Sequence, residues 1–225
     1  MNMKELPRWI DLSCVQTVGM KEDLERMVYL AKKYEFICCF SMPCYTEWLV
    51  DKLKDAPKTV VGGAVGFPSG ADLTESKVLA AVRQREMGCG ELDMVINVSA
   101  LKNREYDLVK NDIRQVKEAA QDLPLKVILE VAYLEDYEIC KGAELAVECG
   151  ANYVKTGTGW ANKPTVVDHI RLIKDTIGTS AKIKAAGGVR DLNTLLAMID
   201  AGYTRFGIGL KSAENIMREA GIFEE

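Results

Sequence analysis

Three side chains of this sequence stand where a carbonyl compound would be attacked. They are Lys155 in Tyr153-Val154-Lys155-Thr156-Gly157-Thr158-Gly159, Lys184 in Lys182-Ile183-Lys184-Ala185-Ala186-Gly187-Gly188-Val189-Arg190, and Asp93 in Glu91-Leu92-Asp93-Met94-Val95. Each lies toward the end of a short apolar run, and both lysines precede a glycine-bearing turn. If the two lysine segments are adjacent parallel strands, they lie about 4.8 Å apart and the two amines share one cavity. Burial and mutual repulsion both disfavour the ammonium form there, so at least one amine loses its proton near neutral pH. A neutral lysine amine is a nucleophile for aldehydes. The iminium it forms withdraws electrons, so an adjacent carbon–carbon bond can break or form without a metal. A carboxylate such as Asp93 can move protons during carbinolamine dehydration and at a substrate hydroxyl, directly or through water. Singly, each residue reads better as a structural charge. Taken together, buried charges of this kind cost free energy unless they are paired.

The chain must hold these groups on a scaffold, and its patterning names one. Short β-branched runs at Trp9 to Ser13, Phe36 to Met42, Thr59 to Val65, Glu91 to Asn97, Leu125 to Val131, Asn152 to Lys155, Ala181 to Ala185 and Thr204 to Ile208 read as strands. Amphipathic stretches near 21–34, 44–54, 73–88, 104–120, 135–149, 165–176, 191–201 and 212–220 read as helices. Gly88, Gly150 and Gly202 follow three of them as C-terminal caps. About eight strand–helix units imply parallel strands. A doubly wound open sheet shares this alternation, and the count favours a (β/α)8 TIM barrel as one domain over residues 1–225. Barrels of this kind carry their chemistry at the C-terminal strand ends, where Asp93, Lys155 and Lys184 fall. By the two-residue strand period Lys182 shares the side of Lys184 and falls at the barrel's lower rim, where an acid would pair with it.

Glycine turns follow strands 6, 7 and 8: Gly157-Thr158-Gly159, Gly187-Gly188 and Gly207-Ile208-Gly209. Lacking a Cβ, they let backbone N–H groups approach an anion, and a helix start near Asn193 or Ser212 adds donors. Barrels often bind phosphate at the last two loops. Trp160 follows the Lys155 turn, either walling the pocket against water or packing its own loop.

A net charge of −4 gives no overall pull toward phosphate backbones or anionic lipid, so any phosphate is bound locally. No nucleic-acid-binding signature, signal peptide or membrane-spanning apolar stretch appears, and the simple expectation is a cytoplasmic protein with neither nucleic-acid nor membrane partners. Seven cysteines without a paired framework fit a reducing compartment. Cys38, Cys39 and Cys44 cluster, but with one histidine, His169, and no CxxC pair, buried structural thiols are expected there rather than a metal site.

With these motifs in place, the sequence resembles the deoxyribose-phosphate aldolase family along nearly its whole length. The likeness is carried in order by Ile10-Asp11-Leu12-Ser13, Gly66-Phe67-Pro68-Ser69-Gly70, Glu91 to Val95, Lys126-Val127-Ile128-Leu129-Glu130, Lys155 to Gly159 and Lys184 to Arg190. The resemblance implies a class I aldolase, a cytoplasmic lyase of deoxyribonucleotide catabolism that uses no cofactor and no metal. Lys155 would form the Schiff base, Lys184 would lower its pKa and Asp93 would assist proton transfer. Asp11, Ser13 and Thr158 would contact the sugar region, and Gly159, Gly187, Gly188, Gly207 and Gly209 would hold the phosphate. The reaction would be reversible cleavage of 2-deoxy-D-ribose 5-phosphate to acetaldehyde and D-glyceraldehyde 3-phosphate. The resemblance also implies a homodimer.

Three segments depart from the family pattern. Gly157 replaces a serine, Phe40-Ser41-Met42-Pro43 replaces a motif beginning with cysteine, and Gly209-Leu210 replaces a phosphate-side serine pair, which leaves Ser212 as a substitute donor. Losing a donor to a charged group costs about 1.5–3 kcal/mol. Two further readings follow: the same chemistry with a different, non-phosphorylated acceptor, and a non-catalytic barrel that binds sugar phosphates. A substrate panel separates the first from the leading reading, and sugar-phosphate binding without turnover would mark the second.

Overall fold

The apolar runs close on themselves. In the computed structural model, which describes residues 2–203 and 205–224, eight parallel strands pair each with the next and the last with the first. They are β1 (Ile10–Cys14), β2 (Cys38–Ser41), β3 (Val60–Val65), β4 (Glu91–Val95), β5 (Leu125–Ile128), β6 (Tyr153–Lys155), β7 (Lys182–Ala186) and β8 (Phe206–Gly209). Around them run α1 (Lys21–Tyr34), α2 (Thr46–Leu53), α3 (Thr74–Glu86), α4 (Val98–Lys102), α5 (Tyr106–Ala120), α6 (Asp136–Glu148), α7 (Val167–Ile177), α8 (Leu192–Asp200) and α9 (Leu210–Glu219). The closed ring settles the choice between barrel and open sheet. Among the described residues no helix is long and apolar enough to cross a membrane.

Each helix expected from sequence forms, with its ends shifted by no more than two residues. Gly88, Gly150 and Gly202 adopt positive φ after α3, α6 and α8, the conformation a glycine supplies at least cost. Six strands are shorter than their apolar runs, while β1 and β7 keep the expected length shifted by one residue. The expected β4 extended to Asn97, but the Asn97 side chain instead accepts the Ala100 N–H and caps α4, a helix the periodicity did not reveal. The expected eighth strand began at Thr204, which lies outside the described residues; β8 starts at Phe206.

The apolar core fills the layer between sheet and helices, with Leu12, Leu92, Val127 and Val154 on the outward strand faces and Met27, Ile113, Ile139 and Ile170 on the helices above them. Period-two alternation therefore turns the other strand positions into the barrel, and there the side chains are largely charged. One further buried ion pair ties the outer layer to the sheet. Lys77 of α3 reaches Asp112 of α5 at 2.6 Å and donates to the carbonyl of Val95 at 3.0 Å, at the end of β4.

Neither side chain of that pair meets solvent, so removing one partner strands the other charge. Lys77→Met is expected to lower the unfolding free energy by about 3–5 kcal/mol in urea titrations, and a second change, Asp112→Leu, is expected to recover much of the loss.

Candidate functional site

Strand register brings the three sequence-selected groups together. Lys155 and Lys184 are paired neighbours on β6 and β7, while Asp93 of β4 faces them across the barrel. The Asp93 carboxylate is shared three ways. Its Oδ2 accepts from Lys155 Nζ at 2.7 Å and from Lys184 Nζ at 2.6 Å, and its Oδ1 accepts from Lys126 Nζ at 2.9 Å. All four groups are buried.

Beneath them lies a layer that sequence reasoning missed. Lys126 also meets Glu91 at 2.6 Å and lies 3.8 Å from Asp11. Arg205 donates from Nε to Asp11 and from Nη2 to Glu91, and Lys184 meets Asp11. Three carboxylates, Asp11, Glu91 and Asp93, thus face four cations, Lys126, Lys155, Lys184 and Arg205. The signal was present in the sequence: Glu91 precedes Asp93 by two residues and Arg205 precedes Gly207 by two, the spacing of one strand face. Lys126 is the charged residue inside an otherwise apolar strand.

Lys182 stands where its spacing predicts but lacks the expected acid. It is exposed at the lower rim and sits 5.6 Å from the Tyr153 ring centre, with no carboxylate within 4 Å among the described residues. A rim lysine keeps its water and leans its cation on an aromatic face, so it needs no acid.

Burial, adjusted by the neighbouring charges, fixes where the proton is weakly held. Burial is the largest influence on Lys155 and lowers its pKa; Asp93 opposes this, Lys184 and Lys126 add to it, and the amine comes to about 8. Burial alone would raise the Asp93 pKa, but Lys126, Lys155 and Lys184 outweigh it and hold the carboxyl well below its ordinary value. Lys126, enclosed by carboxylates, is instead raised despite its burial.

An aromatic ring forms the floor. Phe40 of β2 lies 4.5 Å from Lys184 Nζ, 5.1 Å from Lys126 Nζ and 5.8 Å from Lys155 Nζ, measured to the ring centre. It has room because Gly62 of β3 carries no side chain: a Cβ there would come within 2.1 Å of the ring. Gly207 does the same for Lys184, whose Cε would lie 3.2 Å from an added Cβ.

The pocket above this floor has a volume of about 30 Å³ and is lined by Lys155, Lys184, Asp93 and Asp11 together with Ser13, Thr158 and Gly207. Ser13 donates its hydroxyl to the Ile208 carbonyl at 3.2 Å, and Thr158 gives both its N–H and its hydroxyl to buried Glu130. The five glycines expected to hold the phosphate line three parts of the barrel mouth. Gly207 belongs to the amine pocket; Gly159, Gly187 and Gly188 line a depression of about 240 Å³ with Lys163 and Arg190; Gly209 lines a third, of about 300 Å³, with Lys211 and Ser212. Asn193 lies in α8, whose cap is made by Asp191 accepting from Thr194.

Of the clustered cysteines, Cys38 and Cys39 are buried, and burial pushes both thiols well up. Cys44 is exposed, because the chain leaves the sheet at Ser41 and turns outward. Cys38, Asp11 and Glu91 bring possible metal-ligand atoms within 4.8 Å of one another, yet both carboxylates already neutralise buried cations.

A closed β/α barrel with a desolvated amine beside a carboxylate at its C-terminal mouth defines a barrel built for carbonyl chemistry. The sequence places it more narrowly: the family model described as DeoC/LacD family aldolase matches residues 10–217, and the chain belongs to that family. It is 39% identical over 216 residues to a protein of Rhizobium meliloti strain 1021 named deoxyribose-phosphate aldolase, covering 96% of this chain and 87% of that one. A protein of the same name from Thermococcus kodakarensis is 40% identical over 219 residues, covering 95% and 98%. A solved structure of a candidate deoxyribose-phosphate aldolase from Coccidioides immitis superposes with a TM-score of 0.92 at 31% identity, covering 98% and 87%.

The depressed Lys155 pKa has a measurable consequence for stability. Between about pH 8 and the unperturbed value of 10.5, the unfolded chain keeps a proton on Lys155 that the folded chain has released. Stability rises with pH wherever the unfolded state binds more protons. The unfolding free energy of the natural protein relative to Lys155→Met is therefore expected to increase from pH 8 to 10.5 and to be flat below that window, read from paired urea titrations.

Proposed function

We propose that this chain reversibly cleaves 2-deoxy-D-ribose 5-phosphate to acetaldehyde and D-glyceraldehyde 3-phosphate through a Schiff base on Lys155. The observation that carries the assignment is the Lys155 amine, buried at the pocket, with its pKa brought to about 8 and its nitrogen 2.7 Å from Asp93. The relatives named deoxyribose-phosphate aldolase supply the substrate class.

In the cleavage direction, the neutral Lys155 amine adds to C1 of the open-chain sugar. The carbinolamine loses its hydroxyl as water, with the required proton delivered through Asp93, and the iminium forms. The C3 hydroxyl gives its proton to the Asp93 carboxylate, directly or through water, the C2–C3 bond breaks, and its electron pair moves onto C2 and into the iminium. The products are glyceraldehyde 3-phosphate and the enamine of acetaldehyde. Protonation of the enamine at C2 and hydrolysis of the resulting iminium release acetaldehyde and restore the lysine. Lys184 stays beside Asp93 and Asp11 as a fixed positive charge that keeps Lys155 from holding its proton.

Ser13 and Thr158 line the pocket and are assigned to the sugar hydroxyls; Asp11 acts from below, through Lys184. For the phosphate, Gly187, Gly188 and Gly159 offer backbone amides, while Gly209 begins α9 without a side-chain cap and leaves N–H groups beside Lys211 and Ser212.

Borohydride reduction in the presence of acetaldehyde or the sugar phosphate is expected to leave a single adduct on Lys155, located by peptide mass spectrometry and absent from Lys155→Leu. An adduct on Lys184 would reverse the two lysines, and no adduct would favour a binding barrel. Asp93→Asn is expected to lower kcat by about 10²–10⁴-fold in a coupled aldehyde assay.

A further inference from the structure

Glu130 is a buried carboxylate unlike the three in the barrel interior. Asp11, Glu91 and Asp93 each meet at least two cations, whereas Glu130, only 5% exposed, has no lysine or arginine within 4 Å among the described residues. Its backbone is held in the left-handed region, at φ 57°. The other described non-glycine residues with positive φ, Glu35, Arg104 and Gln121, follow helix ends; Glu130 follows a strand, β5. Hydrogen bonds on either side pin it to the strand of Lys155: the Leu129 N–H donates to the Lys155 carbonyl and the Val131 N–H to the Thr156 carbonyl, both at 2.9 Å. A left-handed backbone and a buried carboxylate without a cation both cost free energy.

What Glu130 meets is the turn after Lys155. Its Oε2 accepts both the Thr158 N–H, at 3.1 Å, and the Thr158 hydroxyl. The oxygen of that hydroxyl in turn accepts the Trp160 N–H at 3.0 Å. A threonine hydroxyl has one proton and two lone pairs, and a carboxylate only accepts. The proton is thus committed to Glu130 and one lone pair to Trp160, so a substrate group that reaches Thr158 Oγ1 finds an acceptor and no donor. Gly157 belongs to the same device. A Cβ added there would stand 2.7 Å from Glu130 Oε1, and Gly157 does not have a positive φ, so it is the missing side chain that matters and not the backbone freedom. Where the family pattern has a serine, this chain leaves the volume that the carboxylate fills.

We propose that Glu130 is a positioning residue that fixes the direction of the Thr158 hydrogen bond: Thr158 accepts from a hydroxyl of the acceptor aldehyde, and acceptors with a donating hydroxyl beside the carbonyl are selected over those without one. The proposal rests on the Schiff-base reading above, in which Thr158, a lining residue of the pocket, faces the sugar hydroxyls. The C3 hydroxyl is taken by Asp93 in that reading. The hydroxyl left for Thr158 is the one on C4, which becomes the hydroxyl beside the aldehyde of glyceraldehyde 3-phosphate.

The test uses the full-length protein and three variants: Glu130→Met, which removes the acceptor of the Thr158 proton; Gly157→Ala, whose Cβ displaces the carboxylate; and Glu130→Gln. Aldol addition is measured with acetaldehyde as donor and either glycolaldehyde, which has a donating hydroxyl, or methoxyacetaldehyde, whose oxygen only accepts. The glycolaldehyde-to-methoxyacetaldehyde ratio of kcat/KM is taken within each protein, so a general loss of activity cancels. The ratio is expected to fall about fivefold in Glu130→Met and to fall in Gly157→Ala. Glu130→Gln is expected to keep it, because the Thr158 N–H requires an oxygen at that position and so orients the amide. If Glu130→Met does not fold, Gly157→Ala alone decides. An unchanged ratio in the folded variants, with borohydride trapping of acetaldehyde on Lys155 present, would overturn the role of Glu130 and leave the Schiff base standing. A fall in Glu130→Gln as large as in Glu130→Met would overturn it in favour of an effect of charge. Absence of trapping in the natural protein would overturn the Schiff-base reading and this proposal with it.

Discussion

Seven ionised side chains are packed inside this barrel, and their compensation is the constraint on which the site depends. An isolated charge in such a place is prohibitively costly, so each carboxylate is placed to meet several cations at once. Asp93 takes three lysines, Asp11 takes Arg205 and Lys184, and Glu91 takes Arg205 and Lys126. Three negative groups cannot fully hold four positive ones. At Lys155, which lines the pocket, burial outweighs the one carboxylate it meets, Asp93, with Lys184 and Lys126 adding to the effect, and it is there that a proton becomes easy to release. The reactivity of one amine is thus a property of the whole buried assembly.

The closed barrel is what makes this assembly possible. The groups come from β1, β4, β5, β6 and β7, with Arg205 immediately before β8, and only a ring of strands turns all of them toward one axis. Parallel register then sets Lys126 beside Asp93 and Lys155 beside Lys184, with Glu91 two residues before Asp93 and Arg205 two before Gly207 on the same strand faces. Glu91, Lys126 and Arg205 do not line the amine pocket. Their contribution is electrostatic and geometric, holding Asp93 and the two lysines in a charge state and orientation that water would otherwise relax.

Much of this was legible in the sequence, and the boundary of what was legible has physical reasons. Lys155, Lys184 and Asp93 stood out because each combines a charge with a strand end, the place where barrels do chemistry. Lys126, Glu91 and Arg205 lie one step deeper along the same strand faces, where a charge is as easily read as a rim residue. Lys182 shows why: it has the same spacing from Lys184 as Glu91 has from Asp93, yet it is exposed at the rim. The difference is set by how far each strand reaches below its neighbours, a matter of register across the sheet that no single segment records. The glycine turns show the same limit. Their backbone freedom was readable, but their distribution over three depressions depends on how the loops fold over one another.

Phe40 and Gly62 occupy one space between them, the ring of the first filling the volume a side chain on the second would need. The two positions are therefore locked into a joint choice. A lineage that gains a methyl on β3 must first shrink the residue on β2, and until it does so the ring would be driven toward the amines. Shrinking β2 first removes the aromatic floor on which three ammonium groups lean. Either order passes through an intermediate with a damaged pocket, so changes at these two sites are physically coupled. A designer seeking a roomier amine pocket gains more by changing both together than by exploring each alone.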